Sequence, residues 1–262
     1  MENPVSSNDI FQFLNQLGDE SRALAMTYFR ARFHVERKSD NSPVTDADRA
    51  IEHRLRELIA ERFPSHSIVG EEEGGSLAEG TNWVIDPIDG TKSFVAGIPL
   101  FGSLVAMLEA RLPKYGLIEI PALSERWIGS GDVALFNGSV CRTSSCEHLH
   151  QARLCATDPH IFRDAALEAF EILRRSASIT RFGTDCYGYG LLASGHVDLV
   201  VEADLEVYDL MAVVPIIEAS GGTVTTWSGE PLHECFDGTV IAAATTRLHA
   251  KVVEMFRTAR PQ

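Results

Sequence analysis

The stretch Trp83-Val84-Ile85-Asp86-Pro87-Ile88-Asp89-Gly90-Thr91 decides how the rest of the chain is read. Trp83, Val84 and Ile85 are apolar and β-favouring, which predicts a short buried strand. Asp86 and Asp89 follow at the strand's end, with Pro87 fixing the chain between them. Gly90 and Thr91 lead into a new segment, where backbone N–H groups come free. Hard cations take oxygen ligands, and two carboxylates on a rigid turn with a carbonyl between them supply such ligands. Free amides beside a cation hold phosphate oxygens. Two readings stand at this point. One is a Mg²⁺-phosphate site; the other is an acidic surface turn in which Asp86 and Asp89 cap backbone amides.

The whole chain narrows the choice. Its 262 residues suffice for one large domain or two fused halves. Hydrophobic content of 45% and charged content of 23% are those of an ordinary soluble protein. A net charge of −14 argues against nucleic acid as a partner, because phosphate backbones want a basic face. It also disfavours an anionic small substrate unless bound cations reverse the local field. Five cysteines form no C-x-x-C pair, and their odd count and irregular spacing suit a reduced, cytoplasmic chain. Cys146 with His148 and His150 lacks the second pair that a zinc site needs and reads as a polar loop. The N-terminus has neither a basic start nor a long apolar run, so neither a signal peptide nor a membrane span is expected.

Ile10, Phe13, Leu14, Leu17, Leu24 and Tyr28 recur at helical spacing and predict a first helix to about Phe33. Thr45-Asp46-Ala47-Asp48 opens a second helix, ended by Pro64, and Thr45 with Asp48 resembles a capping box. Ser67 to Gly70 is a short strand running into Glu71-Glu72-Glu73-Gly74-Gly75; Glu72 and Glu73 read as a solvated loop, while Glu71 comes first after the strand. Strands are predicted over Leu100–Leu108, Tyr115–Ile120 and Arg126–Gly129. The polar run Thr143–His150 marks a boundary, giving one domain over residues 1–262 with subdomains 1–142 and 143–262. Beyond it come helices over Asp158–Arg174, Tyr187–Ser194, Asp209–Ala219 and Arg247–Arg257. They alternate with strands over Ser178–Phe182, Val197–Glu202, Thr223–Trp227 and Val240–Ala244. The pattern is α/β and layered. Neither G-x-G-x-x-G nor a G-x-x-x-x-G-K-[ST] element occurs, so dinucleotide and P-loop readings lose their support.

Three blocks then belong together: Gly70-Glu71-Glu72, Asp86-Pro87-Ile88-Asp89-Gly90-Thr91, and Tyr208-Asp209 far downstream. Together they resemble the inositol monophosphatase superfamily of metal-dependent phosphatases, which shares a G-E-E, a D-P-[IL]-D-G-T and a W-D-containing segment. Lys38 and Val44-Thr45-x-x-Asp48 match the family's upstream stretch, and the resemblance covers nearly the whole chain in order. It implies a layered α-β-α-β-α sandwich and two or three Mg²⁺ ions. Glu71, Asp86 and the Ile88 carbonyl would hold one ion; Asp86, Asp89 and Asp209 would hold a second, and a weaker third would sit near Glu71. The amides of Gly90 and Thr91 would bind phosphate oxygens. The Thr91 hydroxyl, oriented by Asp48 and with Glu71 beside it, would position and help deprotonate the attacking water. Asp48 read as a helix cap is the competing role, and Lys38 is either an active-site cation or a solvated one.

Two departures from the inositol branch bear on the substrate. Lys92-Ser93-Phe94 stands where that branch carries T-N-F, and Tyr208 stands where the family has Trp. Gly183-Thr184-Asp185-Cys186-Tyr187 and Gly195-His196-Val197-Asp198-Leu199-Val200 resemble the histidinol-phosphatase branch, with its G-G-D-C-Y and A-G-H-V-D-L-V. That resemblance implies hydrolysis of L-histidinol phosphate in histidine biosynthesis, with Asp185 facing the substrate ammonium. Glu202 matches the position at which inositol enzymes bind sugar hydroxyls, and Asp89, Gly90, Thr91 and Asp209 complete the expected substrate contacts. Asp185 as a helix N-cap is the alternative; His196 reads as a turn residue. The family implies a homodimer acting on a small phosphate monoester. The competing functions are an inositol-1-monophosphatase or related sugar or nucleotide phosphatase, and a non-catalytic metal-binding regulator, which the intact acid set disfavours.

Overall fold

The computed structural model describes residues 6–31, 35–37 and 43–258; Lys38 lies outside the described residues. Helix α1 spans Ser7–Tyr28, entered through a capping box of Ser6 and Asp9 and burying Ile10, Phe13, Leu14 and Leu17. It stops short of the predicted Phe33 for a tertiary reason. Arg30 turns into the left-handed region (φ 59°), and the Phe29 ring swings out to meet Phe101 at 4.8 Å and Phe94 at 5.7 Å. Strands β1 (Val35–Arg37) and β2 (Pro43–Thr45) pair antiparallel, and helix α2 spans Asp46–Arg62.

A seven-stranded sheet follows in the order β3 (Ser67–Gly70), β4 (Thr81–Asp89), β5 (Gly102–Glu109), β6 (Leu112–Ile120), β7 (Glu125–Ser130), β8 (Val133–Phe136) and β9 (Ser139–Val140). Only its first pair, β3 with β4, is parallel. The short helix α3 (Thr91–Val95) lies between β4 and β5. The second half builds a five-stranded sheet from β10 (Arg153–Ala156), β11 (Ile179–Phe182), β12 (Leu199–Glu202), β13 (Thr223–Thr225) and β14 (Val240–Ala243), ordered β11-β10-β12-β14-β13. Five more helices are α4 (Asp164–Ser176), α5 (Asp185–Ala193), α6 (Val207–Leu210), α7 (Val213–Ser220) and α8 (Thr246–Thr258).

Strand side chains alternate between faces, so a strand buried on both sides reads as a continuous apolar run. In β4, Trp83 and Ile85 join Leu14, Leu17, Ile51 and Leu55 under α1 and α2. Val84 points the other way, into a cluster with Leu192 of α5 and Val213 and Ile216 of α7. That cluster also takes Val200 of β12 and Ala242 of β14, so the middle helices are shared by both sheets. On the far face of the second sheet, Leu199, Val201 and Ile241 meet Phe170 of α4 and Leu248 and Val252 of α8. The result is a five-layer α-β-α-β-α sandwich. Complete burial of each such side chain is worth about 1.5–3 kcal/mol against exposure.

Several predicted boundaries move. The strand expected over Trp83–Ile85 continues through both aspartates to Asp89. The helix expected over Asp158–Arg174 divides: Asp158 accepts the His160 amide at 2.9 Å in a 3₁₀ turn, and the α-helix begins at Asp164. Between the two, Phe162 stacks on Phe170 at 3.8 Å, a contact that a continuous helix would forbid. The helix expected over Asp209–Ala219 is likewise two, α6 and α7. Pro215 lacks the N–H that would have bonded the Met211 carbonyl. Strands β8, β9 and β10 were not predicted. They are short, and β10 is held by parallel neighbours on both sides.

Candidate active site

The motif is shaped by a register shift. Along β4, Asp86 pairs with Leu104 and Asp89 with Gly102, so an irregularity falls between the two aspartates. A bulge of this kind re-aims side chains. Ser103 Oγ donates to the Pro87 carbonyl at 2.7 Å and fixes the bulge. Asp209 arrives from α6, its Oδ2 accepting the Glu206 amide at 2.7 Å. Asp86, Asp89 and Asp209 each bring a carboxylate oxygen within 4.8 Å of the others. No other such group of His, Cys, Asp or Glu occurs among the described residues, so Cys146, His148 and His150 do not form one.

Glu71 is not among the three but lines the same cavity beside Asp86 from the end of β3, where its amide donates to the Ile85 carbonyl at 3.2 Å. Glu72 and Glu73 are not a free solvated loop. Their amides donate to Glu52 at 2.7 and 3.0 Å, and Glu52 is wholly buried in α2. Gly70 is required beneath it, since a Cβ there would lie 2.0 Å from Glu52 Oε1. Sequence reading missed Glu52 because it carries no motif signal beyond a helix position.

The electrostatics call for a cation. Burial first, then the charges of Glu71, Asp89 and Asp209, hold Asp86 well above the usual carboxylate range. Burial and Asp89 do the same to Asp209. Asp89 rises to about 6 by burial, although hydrogen bonding from Cys186 opposes the shift. Asp86 Oδ1 is buried without a hydrogen-bond partner. An orphaned buried carboxylate oxygen amid further acids is costly unless a cation satisfies it. These all-oxygen donors fit Mg²⁺.

Around this group, Glu71, Asp86, Ile88, Asp89, Gly90, Thr91 and Asp209 share a cavity of about 260 Å³. Gly90 caps α3 and Thr91 is its first residue; the first amides of a helix have no partner within it. The Thr91 hydroxyl donates to the Ile88 carbonyl at 3.0 Å and not to Asp48, so the expected orientation of Thr91 by Asp48 is not made through a hydrogen bond. Asp48 caps α2 in a full capping box: its Oδ2 accepts from Thr45 N at 2.8 Å and Thr45 Oγ1 at 2.5 Å. Its other oxygen, Oδ1, is buried and unpartnered, and burial raises the group to about 6 against the Thr45 hydrogen bonds.

A larger cavity of about 670 Å³ opens beside the acids and is lined by Asp89, Asp209, Asp185, Glu202, Tyr189 and Lys92 among others. Asp185 is not an N-cap. Thr184 holds that position, and Asp185 is the first residue of α5, at φ 45°. Its Oδ2 accepts from Ser93 Oγ at 3.2 Å, and burial with the Asp89 charge lifts it to about 7. Gly90 stands close by, where a Cβ would come 3.0 Å from Asp185 Oδ2. Glu202, from the end of β12, accepts Tyr189 Oη at 2.6 Å on Oε2 and the Thr157 hydroxyl on Oε1. Burial raises it to about 7. His196 is exposed in the turn after α5, its amide on the Leu191 carbonyl. Thr157, Ser93 and Tyr189 were not foreseen, because single hydroxyls carry no signal until the fold gathers them.

Residues 7–260 match the model of the inositol monophosphatase family. The chain belongs to the inositol monophosphatase family. This family member is 43% identical over 251 residues to the Bifunctional phosphatase IMPL2, chloroplastic, of Arabidopsis thaliana, covering 92% of this chain and 72% of that protein. It is 35% identical over 232 residues to the Histidinol-phosphatase of Mycobacterium tuberculosis, covering 85% of this chain and 89% of that one. Among solved structures, an inositol monophosphatase from Zymomonas mobilis is 38% identical with a TM-score of 0.87, covering 97% of this chain and 100% of that chain. The inositol monophosphatase fold and a phosphatase acting on small phosphate monoesters follow. No helix among the described residues is long and apolar enough to cross a membrane.

Proposed function

We propose that the protein is a Mg²⁺-dependent histidinol-phosphatase, releasing L-histidinol and phosphate from L-histidinol phosphate. One observation carries this reading. The cavity that opens from the acids of the motif has Asp185, Glu202 and Asp204 on its walls, three carboxylates beyond the motif acids; Asp204 is paired with Arg163, which leaves Asp185 and Glu202 facing Lys92 as the one other cation of the lining. A substrate bearing an ammonium complements such a wall, whereas a ring of hydroxyls needs no surplus negative charge. Ile161, Ala203 and Leu205 line the same cavity and offer apolar contact to an imidazole ring.

In this reading Glu71, Asp86, Asp89, Asp209 and the Ile88 carbonyl hold the cations. Bound Mg²⁺ supplies Lewis-acid polarisation of the phosphoryl group and a nucleophile at neutral pH. The remaining work belongs to the chain. The Gly90 and Thr91 amides bind phosphate oxygens at the start of α3. Thr91 Oγ, anchored through its donation to Ile88, keeps lone pairs for the attacking water. Glu71, on the cavity wall, takes its proton, and Asp48, near enough to feel the Glu71 charge, supports it from the interior. Asp185 faces the substrate ammonium, with Glu202 behind it.

An inositol phosphate is the second reading, supported by Glu202, whose acceptor oxygens also suit hydroxyls. Phosphate release from histidinol phosphate, inositol 1-phosphate and glycerol phosphate, with and without Mg²⁺, separates the two. A parent enzyme that prefers inositol phosphate overturns the histidinol assignment, and one without Mg²⁺-dependent release overturns the enzyme assignment.

A further inference from the structure

Helix α5 presents two of its side chains to the large cavity one turn apart. Asp185 faces it directly, and Tyr189, at the i+4 position on the same face, reaches Glu202. Tyr189 and Glu202 are each 2% exposed, yet both line the cavity. Their hydrogen bond of 2.6 Å lies in the charge-assisted range for a hydroxyl on a carboxylate. The Thr157 hydroxyl occupies the other Glu202 oxygen. Both oxygens therefore receive a protein donor, and each keeps a further lone-pair position for a ligand.

We propose that Tyr189 is a positioning residue for specificity: its phenol holds Glu202 as an acceptor-only carboxylate and so selects substrates that present a cationic, donor-rich group. The inference rests on the reading of this cavity as a phosphate-monoester site. The hydrogen bonds from Tyr189 and Thr157 favour the ionised form of Glu202, which can only accept, and a substrate group facing it must then donate. An ammonium, with three N–H donors and a positive charge, meets that demand better than a hydroxyl. The phenyl ring of Tyr189 belongs to the core cluster under β6 and α7, so the donor is set in place before substrate arrives. Without the O–H, Glu202 can turn, or take up a proton and become a donor itself.

The test is Tyr189→Phe, which keeps the ring and removes only the hydroxyl. Parent and variant are compared on phosphoethanolamine and ethylene glycol phosphate, a pair differing as ammonium against hydroxyl, and on histidinol phosphate. The ammonium preference in kcat/KM is expected to fall about 10- to 100-fold, mainly through KM, with Mg²⁺ activation unchanged. In a Glu202→Gln background the same change is expected to add nothing further. Equal losses on both members of the pair, or an undiminished ammonium preference, overturn the inference, as does a parent with no such preference. A parent that favours the ammonium compound yet prefers inositol phosphate to histidinol phosphate removes the substrate assignment and leaves Tyr189 in its role. Should Tyr189→Phe not fold, Glu202→Gln, whose NH₂ puts a donor where the inference requires only acceptors, is compared on the same pair: a lost ammonium preference supports the inference and an undiminished one overturns it.

Discussion

The backbone N–H of Cys186 donates to Asp89 Oδ2 at 2.5 Å, across 97 residues of sequence. This bond ties the motif on the first sheet to the first turn of α5, and thereby to Asp185 in the large cavity. It also orients Asp89 toward the acid group while the other Asp89 oxygen stays available. The acids of the motif and those of the large cavity are thus fixed relative to each other by this bond, by Ser93 Oγ on Asp185 and by the rigid elements at their ends.

Asp89→Asn tests the acid group. The amide oxygen can still accept from Cys186, so the fold should persist, while one charge shared with the cation is lost. Turnover should fall at least about 100-fold, the scale seen when a metal site loses even a supporting contact. The rise in Tm on adding Mg²⁺ should shrink in parallel. A kcat near that of the parent would remove Asp89 from the metal assignment.

Thr91→Ala should lower kcat by about 10²-fold or more while leaving KM near the parent value, because an oriented nucleophile matters in the transition state. Asp48→Asn should do likewise. Since an asparagine still accepts from Thr45, its stability cost as a cap should stay within about 1 kcal/mol. If the residues act as one unit, the double variant loses no more than the worse single. Additive losses in kcat would show that the two residues act independently, and a parent-like kcat in Asp48→Asn would confine Asp48 to its capping role.

Asp185→Asn addresses the substrate. A carboxylate facing an ammonium is worth about 1.5–3 kcal/mol when the pair is largely dry, and kcat/KM for histidinol phosphate should fall accordingly. Glycerol phosphate has no amine and should be hydrolysed at nearly the parent rate. Matching losses on the two substrates would assign Asp185 to the fold or to phosphate binding.

Glu52→Gln probes the support beneath Glu71. Glu52 accepts the Glu72 and Glu73 amides and Arg56 Nε at 2.8 Å. An NH₂ group in its place would face one of those donors, so a loss of about 1.5–3 kcal/mol in denaturant unfolding is expected. The Mg²⁺ requirement should rise too, because the same turn carries Glu71. Parent-like stability with parent-like metal response would show the turn to be held by other means.

His249 gives a pH signature far from the site. It is 6% exposed, with Nε2 at 2.9 Å from Thr225 Oγ1, and burial lowers it to about 4 from 6.5. Between those values the unfolded chain binds the proton and the folded one does not. Its contribution is therefore full above pH 6.5 and is lost as pH falls toward 4, by about 2–3 kcal/mol. The difference in unfolding free energy between parent and His249→Gln, followed from pH 7 to 4, isolates this group because the acids are common to both. A difference that does not change with pH would refute the assignment.

The sequence by itself determined the layered class, the course of most elements and the identity of the acids that meet. Apolar periodicity and turn residues report local preference, and Asp86-Pro87-Ile88-Asp89-Gly90-Thr91 carries its chemistry within six residues. Thr45 and Asp48 were legible as a capping box for the same reason, since both partners lie within one turn. What depended on distant contacts was out of reach. The end of α1 is set by Phe29 meeting Phe94 and Phe101, and the break before α4 by Phe162 stacking on Phe170. Glu52 beneath the Glu71 turn, and Thr157 and Tyr189 on Glu202, are ordinary residues until the fold brings a buried carboxylate and its donors together. Whether Asp185 caps a helix or faces the cavity turned on the left-handed backbone at the start of α5 and on Ser93, 92 residues away in the chain. Hydrogen bonds and burial act through space, so only the tertiary structure could decide those roles.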